Sequence, residues 1–145
     1  MKKNIIVGQS GGPTAAINSS LAGVYRTAKD RGAQKVYGML HGVQGLLEEK
    51  YIDLSDHLRT ELDEELLKRT PASFLGSCRY KLPEIHENTE VYEKIFETLE
   101  KLEIEAFIYI GGNDSMDTIK KLSDYAIIKG YPQRFIGCPK TIDRS

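Results

Sequence analysis

Short apolar runs alternate with longer amphipathic segments along the chain. The short runs predict strands, because they are rich in β-branched residues and bounded by glycine or polar residues. In the longer segments apolar residues recur at intervals of three and four, which predicts helices. The predicted strands cover residues 5–7, 35–39, 107–110 and 135–137, and the predicted helices cover about 15–31, 63–68, 90–102 and 116–129.

This alternation predicts an α/β fold with three αβα layers, in which right-handed crossovers join mostly parallel strands and place helices on both faces of the sheet. In such sheets the carboxyl ends of the strands line the ligand site. Glycine-rich or polar stretches follow three of the strands, and a fourth such stretch lies mid-chain. We expect all four to converge on one cleft: GQSGGPTAAIN, LGSCRYK, GGNDSMDT and GCPKTIDRS.

Composition narrows the possible functions. The 145 residues suit a single core, and a net charge of −1 without a basic run argues against nucleic-acid or anionic membrane surfaces. The apolar run at 5–7 is too short for a signal sequence or a membrane span, so we expect a cytoplasmic protein. Cys78 and Cys138 lack the spacing of a zinc site and are predicted to be small buried hydrophobic residues. None of the three histidines has a partner at metal-binding spacing.

The stretch GGNDS, residues 111–115, combines two features of a phosphate site. Glycines let a ligand approach the backbone, and the N–H groups at the start of the following helix attract anions. Asp114 or Ser115 is predicted to be the N-cap of that helix, and the carboxylate of Asp114 could hold Mg²⁺. Gly11 and Gly12 have two open interpretations: they either supply positive φ angles for a turn or admit an anion near the first helix.

Two further stretches carry charge that could act on phosphate. Arg79, with Lys81 beside it, offers a planar fork for phosphate oxygens, although a solvated surface charge is an equally good interpretation. Lys140, Thr141 and Asp143 bring a cation, a hydroxyl and a carboxylate into one loop. A phosphoryl transfer to an alcohol needs charge stabilisation, a phosphate hydrogen bond and a proton acceptor, and these three groups can supply them.

Taken in order, the four stretches resemble the phosphofructokinase family, whose patterns are G-G-x-x-x-x-x-N, L-G-S-x-R, G-G-[DN]-[GD]-S and P-[GK]-T-I-D-N-D. The resemblance implies a Rossmann-like domain and transfer of a phosphoryl group to the 1-hydroxyl of fructose 6-phosphate, giving fructose 1,6-bisphosphate in glycolysis. It implies that Asp143 is the catalytic base, that Thr141 hydrogen-bonds phosphate or substrate, and that Lys140 neutralises the transferring group. The donor-phosphate contacts that it implies are Gly11, Gly12, Arg79, Gly112 and Ser115.

The resemblance also indicates the phosphoryl donor. The branch that uses ATP has glycine at the positions of Asp114 and Lys140, whereas this pair is similar to the pyrophosphate-dependent branch. Their side chains fill the space of an α-phosphate, and Asp114 repels it. Val43 stands where relatives that use ATP often place an aromatic residue against adenine. Asn113 stands where those relatives have a metal-binding aspartate, so Mg²⁺ is expected on Asp114 or on pyrophosphate oxygens.

Family members continue T-I-D-N-D, whereas this sequence ends Arg144-Ser145. We therefore expect residues 1–145 to be the N-terminal donor-binding part of a homo-oligomeric enzyme. The sugar-phosphate-binding part is then absent, and we expect the fragment to be inactive alone and to leave apolar surface open to self-association. Two alternatives remain: an ATP-dependent 6-phosphofructokinase, and a non-catalytic phosphate-binding module on the same scaffold.

Overall fold

The computed structural model describes residues 4–9, 15–56 and 81–139, without the side chains of 15–20, 113, 114 and 139. Ten elements follow one another along these ranges. They are β1 (Asn4–Gln9), α1 (Ala15–Asp30), β2 (Val36–Met39), α2 (Gly42–Leu47), β3 (Tyr51–Asp53), a 3-10 turn (Leu54–Asp56), α3 (Thr89–Lys101), β4 (Ile104–Gly111), α4 (Asn113–Lys129) and β5 (Arg134–Pro139).

The strands form one five-stranded sheet in the order β3-β2-β1-β4-β5. β1 pairs in parallel with β2 and with β4, and β4 pairs in parallel with β5. Only β3, among the described strands, is antiparallel to its neighbour. The predicted mostly parallel sheet is therefore confirmed.

Side chains alternate between the two faces of this sheet, as the two-residue period of a strand requires. Ile6 and Phe107 point to the face covered by α2, α3 and α4, and both are fully buried there. Val7 and Ile110 point to the other face, where they pack with residues of α1. Helices on both faces were predicted, and the structure confirms them with an unequal distribution.

Aromatic rings fill the face covered by three helices. Phe96 of α3 lies with its ring centroid 5.1 Å from that of Tyr125, 4.6 Å from Tyr131 and 5.5 Å from Phe135. Offset and tilted pairs at these distances add to the stabilisation that burial alone gives. This cluster joins α3, α4 and β5 into one packed layer.

The predicted helices and strands agree with the observed ones, apart from shifts at their ends and two omissions. α3 covers Thr89–Lys101 against the predicted 90–102, and α1 ends one residue before the predicted end. α2 and β3 were not predicted. The predicted helix at 63–68 lies outside the described residues.

The segment from Leu40 to Lys50 is a compact turn built around α2. The backbone N–H of Leu40 donates to the carbonyl of Lys50, and the N–H of Lys50 donates to the carbonyl of Gly45. A Cβ atom added to Gly45 would lie 1.6 Å from the carbonyl oxygen of Leu40. This turn therefore requires glycine at position 45.

Candidate functional site

The strand order changes direction between β1 and β4. From β1 the chain passes through α1 to β2 on one side, and from β4 it passes through α4 to β5 on the other side. A crevice opens at such a point, outside the carboxyl ends of the two strands, and α/β proteins bind ligands there. Gln9, the last residue of β1, pairs with Ile110 in β4, so the two strands end side by side.

β4 leads directly into α4 at this crevice. Gly112 is the N-cap residue, and its carbonyl accepts hydrogen bonds from the N–H groups of Ser115 and Met116. The prediction of Asp114 or Ser115 as the N-cap is wrong, because the helix begins at Asn113 and both residues lie inside its first turn. The first N–H groups of a helix have no partner within the helix, and they attract an anion.

Gly112 leaves the start of α4 uncovered. Its φ is −96°, which is outside the left-handed region that favours glycine. A Cβ atom built on it would meet nothing within 4 Å among the residues that the structure describes. The ψ of Gly112 is −146°, beyond the β region that other residues favour, so backbone conformation favours glycine here. The missing side chain also lets a ligand come close to the helix start.

The hydroxyl of Ser115 is a second unusual feature of the same turn. Ser115 is fully buried, and its Oγ has no hydrogen-bond partner within the part of the chain that the structure describes. A buried polar atom without a partner is unfavourable by about 1–3 kcal/mol, so native proteins satisfy nearly all such atoms. A phosphate oxygen at the helix start would accept a hydrogen bond from this hydroxyl.

The segment 82–84 contacts α4. It follows directly on the stretch LGSCRYK, which was predicted to bind phosphate. The ammonium of Lys121 in α4 donates to the carbonyl of Leu82 at 2.9 Å. The hydroxyl of Tyr92 in α3 donates to the carbonyl of Pro83 at 2.5 Å. Neither contact was predicted from the sequence. The spacing of Asp117 and Lys121, four residues apart on one helix, indicates only an ion pair between those two side chains.

The position of Val43 in the structure does not support its use as an indicator of the phosphoryl donor. Val43 is buried in the core beside Tyr109, whose hydroxyl accepts the backbone N–H of Val43 at 3.1 Å. Because a buried residue lines no open surface, its identity reflects packing at the start of α2. The donor assignment therefore rests on Asp114 and Lys140.

Cys138 lies near the carboxyl end of β5, which runs parallel to β4. It is half-buried, against the prediction of a buried residue, and it is a free thiol. Burial raises the pKa of this thiol, since a desolvated thiolate is disfavoured. Cys78 lies outside the described residues.

The structure describes only part of the predicted site. Gly112 and Ser115 lie together at the start of α4, and the backbone of Asp114 lies between them. Gly11, Gly12 and Arg79 lie outside the described residues, as do Lys140, Thr141 and Asp143. The roles predicted for those residues and the expected convergence of all four stretches stay predictions.

Metal ligands are not grouped in the ranges that the structure describes, where no cluster of three His, Cys, Asp or Glu residues occurs. Asp117, close to the start of α4, is bonded to Lys121 at 2.9 Å. Asp114 therefore stays the predicted Mg²⁺ ligand, and its carboxylate is outside the description. Across the same ranges, no helix combines the length and the apolar composition that crossing a bilayer needs.

A cavity of about 830 Å³ opens elsewhere, between α1 and the strands β4 and β5. Its described lining includes Val24, Ile108, Ile136 and Cys138, and does not include Ser115. Ile136 is 45% exposed there, because α1 covers this face nearer to β1 and β2. The lining also includes Arg31 and the ion pair that Arg134 forms with Glu105 at 3.3 Å, so it is not purely apolar.

A parallel α/β sheet with an open, phosphate-suited helix start at its switch point defines a class of phosphate-binding domains. Within that class, the family model described as Phosphofructokinase matches residues 4–145. The chain therefore belongs to the phosphofructokinase family, as the sequence motifs predicted.

Curated relatives share the match over almost the whole chain. A pyrophosphate–fructose 6-phosphate 1-phosphotransferase of Rhodospirillum rubrum is 43% identical over 98% of this chain and 34% of that protein. A protein of the same name from Xanthomonas campestris is 42% identical over 97% of this chain and 33% of that protein. An ATP-dependent 6-phosphofructokinase of Aliivibrio fischeri is 38% identical over 99% of this chain and 40% of that protein. The chain thus spans about a third of the length of the pyrophosphate-dependent relatives.

Solved structures agree with the fold. The pyrophosphate-dependent phosphofructokinase of Nitrosospira multiformis superposes with a TM-score of 0.86 at 38% identity, over 97% of this chain and 34% of that one. The phosphofructokinase of Pichia pastoris superposes with a TM-score of 0.76 at 20% identity, over 99% of this chain and 16% of that one. The second likeness concerns the fold alone.

Proposed function

We propose that this chain is the donor-binding part of a pyrophosphate-dependent 6-phosphofructokinase. The observation that carries the proposal is the start of α4, where Gly112 lies near the buried hydroxyl of Ser115, which has no hydrogen-bond partner among the described residues. These groups suit a phosphate of the donor at the switch point of the sheet. Relatives whose names include pyrophosphate are 42–43% identical to the chain, which supports the choice of donor.

In the proposed reaction the 1-hydroxyl oxygen of fructose 6-phosphate attacks one phosphorus of pyrophosphate. The bond from that phosphorus to the bridging oxygen breaks, phosphate leaves, and fructose 1,6-bisphosphate forms. Asp143 accepts the hydroxyl proton, while Lys140 and Thr141 stabilise charge on the transferring group. Mg²⁺, held by Asp114 or by pyrophosphate oxygens, would neutralise part of the donor's charge. The donor phosphates contact Gly11, Gly12, Arg79, Gly112 and Ser115.

The donor preference is proposed to depend on Asp114 and Lys140, because side chains at the two positions where relatives that use ATP have glycine would take up space that an α-phosphate needs. The proposal also places the complete enzyme in the cytoplasm, as a homo-oligomer acting in glycolysis, with the sugar-phosphate site outside these 145 residues. ATP is the competing donor, because relatives named ATP-dependent are 38% identical over 99% of this chain.

Turnover by the full-length gene product that contains this chain tests the proposal. Fructose 1,6-bisphosphate formation is measured with pyrophosphate and, separately, with ATP, and we expect turnover with pyrophosphate. Turnover with ATP alone favours the competing donor. Pyrophosphate binding without turnover on either donor favours a non-catalytic phosphate-binding module.

Substitution of the two specificity residues tests their role. Asp114→Gly together with Lys140→Gly is expected to raise kcat/KM for ATP relative to pyrophosphate, because the space for an α-phosphate opens. Lys120→Ala with Asp124→Ala is the matched control, since it removes the same charges from an exposed pair on α4. An unchanged donor ratio in the first variant would contradict the assignment.

A further inference from the structure

Lys121 lies in the third turn of α4 with an unusually enclosed side chain. The side chain is only 12% exposed, whereas that of neighbouring Lys120 is 77% exposed. Its ammonium lies 2.9 Å from the carboxylate of Asp117 and 3.9 Å from that of Glu84. Together with the bond to the carbonyl of Leu82, these contacts neutralise the cation and use its donors. Lys121 therefore has little capacity left to bind a phosphate itself.

The partners of Lys121 lie on two different parts of the chain. Asp117 is on the same helix, whereas Leu82 and Glu84 belong to the segment that enters α3. Tyr92 holds the same segment from α3 through the carbonyl of Pro83, and the Leu82 side chain is buried in the core. Two helices thus hold the segment 82–84, through the backbone carbonyls of Leu82 and Pro83 and the carboxylate of Glu84.

The held segment connects directly to basic residues. Lys81 immediately precedes Leu82 and is exposed, and Arg79 precedes it by three residues in the sequence. Side chains of a helix lean toward its N-terminus, so the ammonium of Lys121 lies nearer to the start of α4 than its Cα does. The carbonyl of Leu82 is therefore held against α4 close to Asp117 and Lys121.

We propose that Lys121 is a positioning residue, which clamps residues 82–84 to α4 and so fixes the position from which the basic stretch of Lys81 and Arg79 begins. The inference rests on the proposed donor site at Ser115, which it extends by a residue that touches no substrate. Precise placement matters because charge-assisted contacts to phosphate depend on distance and direction.

Pyrophosphate binding by the 145-residue chain tests the clamp. Lys121→Met is expected to raise the Kd for pyrophosphate by about tenfold, in the range that loss of one buried bond to a charged group produces. Lys120→Met, which removes the same charge from an exposed position, is expected to change the Kd by less than about twofold. Lys121→Arg keeps the charge and the donors and is expected to restore most of the affinity.

A second variant separates placement from charge. Lys121→Met leaves Asp117 without its counter-ion, and that carboxylate alone would repel pyrophosphate. Asp117→Asn combined with Lys121→Met restores the local charge without restoring the bond to Leu82. Binding that stays weak in the double variant supports the clamp, whereas recovery to the wild-type Kd overturns it in favour of a charge effect.

Hydrogen exchange tests, without any ligand, whether Lys121 and Tyr92 hold residues 82–84. Exchange at the amides of Leu82, Glu84 and Ile85 is expected to be faster in Lys121→Met and in Tyr92→Phe than in the wild type, and unchanged in Lys120→Met. Equal exchange in all four proteins overturns the clamp. Failure of the wild-type chain to bind pyrophosphate overturns the proposed function and the binding role of Lys121, and the exchange rates still decide whether the clamp exists.

Discussion

At the scale of single residues, the proposed phosphate site depends most directly on the hydroxyl of Ser115. Ser115→Ala removes a buried oxygen that has no partner among the described residues, so the free energy of unfolding is expected to stay the same or to rise by up to about 1 kcal/mol. Pyrophosphate binding is expected to weaken by about tenfold. Urea unfolding and calorimetric titration measure the two effects.

Ser123→Ala is the matched control for this prediction. Ser123 lies on the same helix, half-buried and two turns farther from its start. Its replacement is expected to leave pyrophosphate binding unchanged. If both alanine variants bind pyrophosphate as well as the wild type does, the hydroxyl of Ser115 has no part in donor binding.

Cys138 gives a prediction that depends on pH. Because burial raises the pKa of its thiol, the reactive thiolate forms at a higher pH than in a free cysteine, which titrates near about 8.5. In a Cys78→Ser background, the rate of alkylation by iodoacetamide is expected to reach half its maximum above that pH, as followed by mass spectrometry. A midpoint at or below that of the urea-unfolded chain would contradict the prediction.

The same shift has a consequence for stability. The folded-state pKa of Cys138 lies above the unfolded one, so its contribution is fully present below a pH of about 8.5 and is lost as the pH rises through the folded value. Mild alkali is therefore expected to destabilise the chain less when Cys138 is replaced by alanine. The comparison requires unfolding curves at pH 7 and at about pH 10.

At the scale of elements, α2 depends on the glycine inside it. Gly45→Ala places a Cβ atom against the carbonyl oxygen of Leu40, and a backbone atom cannot move aside as a flexible side chain can. We expect a loss of about 3 kcal/mol in the free energy of unfolding, measured by urea denaturation.

Gly23 in α1 supplies the control for Gly45. A Cβ atom there meets nothing within 4 Å, so Gly23→Ala is expected to stabilise the chain by about 0.5–1 kcal/mol through helix propensity. Similar losses in both variants would show that helical glycines in this chain are not distinguished by the space around them.

The two elements that the sequence patterns did not predict, α2 and β3, are stabilised mainly by tertiary contacts. α2 has six residues, two of them glycine, and its first turn bonds to the hydroxyl of Tyr109, which lies 66 positions away in the sequence. β3 has three residues and only one neighbouring strand. By contrast, α3 carries a clear apolar stripe, and its ends were predicted to within one residue.

The candidate site was predictable only as far as its chemistry is local. Ser115 and Gly112 were predicted as donor-phosphate contacts because glycines and small polar residues follow an apolar run, and that role stays a prediction. The clamp at Lys121 was not, since its main partner is the backbone carbonyl of Leu82, and a carbonyl carries no signature in the sequence. The N-cap prediction failed because the usual capping side chains, Asp114 and Ser115, lie inside the helix.

At the scale of the whole molecule, the two faces of the sheet contribute unequally to stability. Phe96→Ala, on the face covered by α2, α3 and α4, empties the centre of an aromatic cluster and is expected to remove about 3–5 kcal/mol. Val24→Ala, on the α1 face beside the open cavity, is expected to remove less than about 1 kcal/mol, because Val24 is only half-buried. Equal losses in urea denaturation would contradict this asymmetry.

The pairing of β1 with β4 sets the order in which the chain can fold during synthesis. The bond from the Asn4 side chain to the carbonyl of Leu102 joins positions 98 residues apart, although the strands they flank are neighbours. Non-local pairings of this kind slow folding, since a long loop must close first. At roughly 5–20 residues per second, a ribosome needs roughly 5–20 seconds to make the intervening chain. For that interval one edge of β1 has no β4 to pair with, and an unpaired strand edge is prone to aggregation.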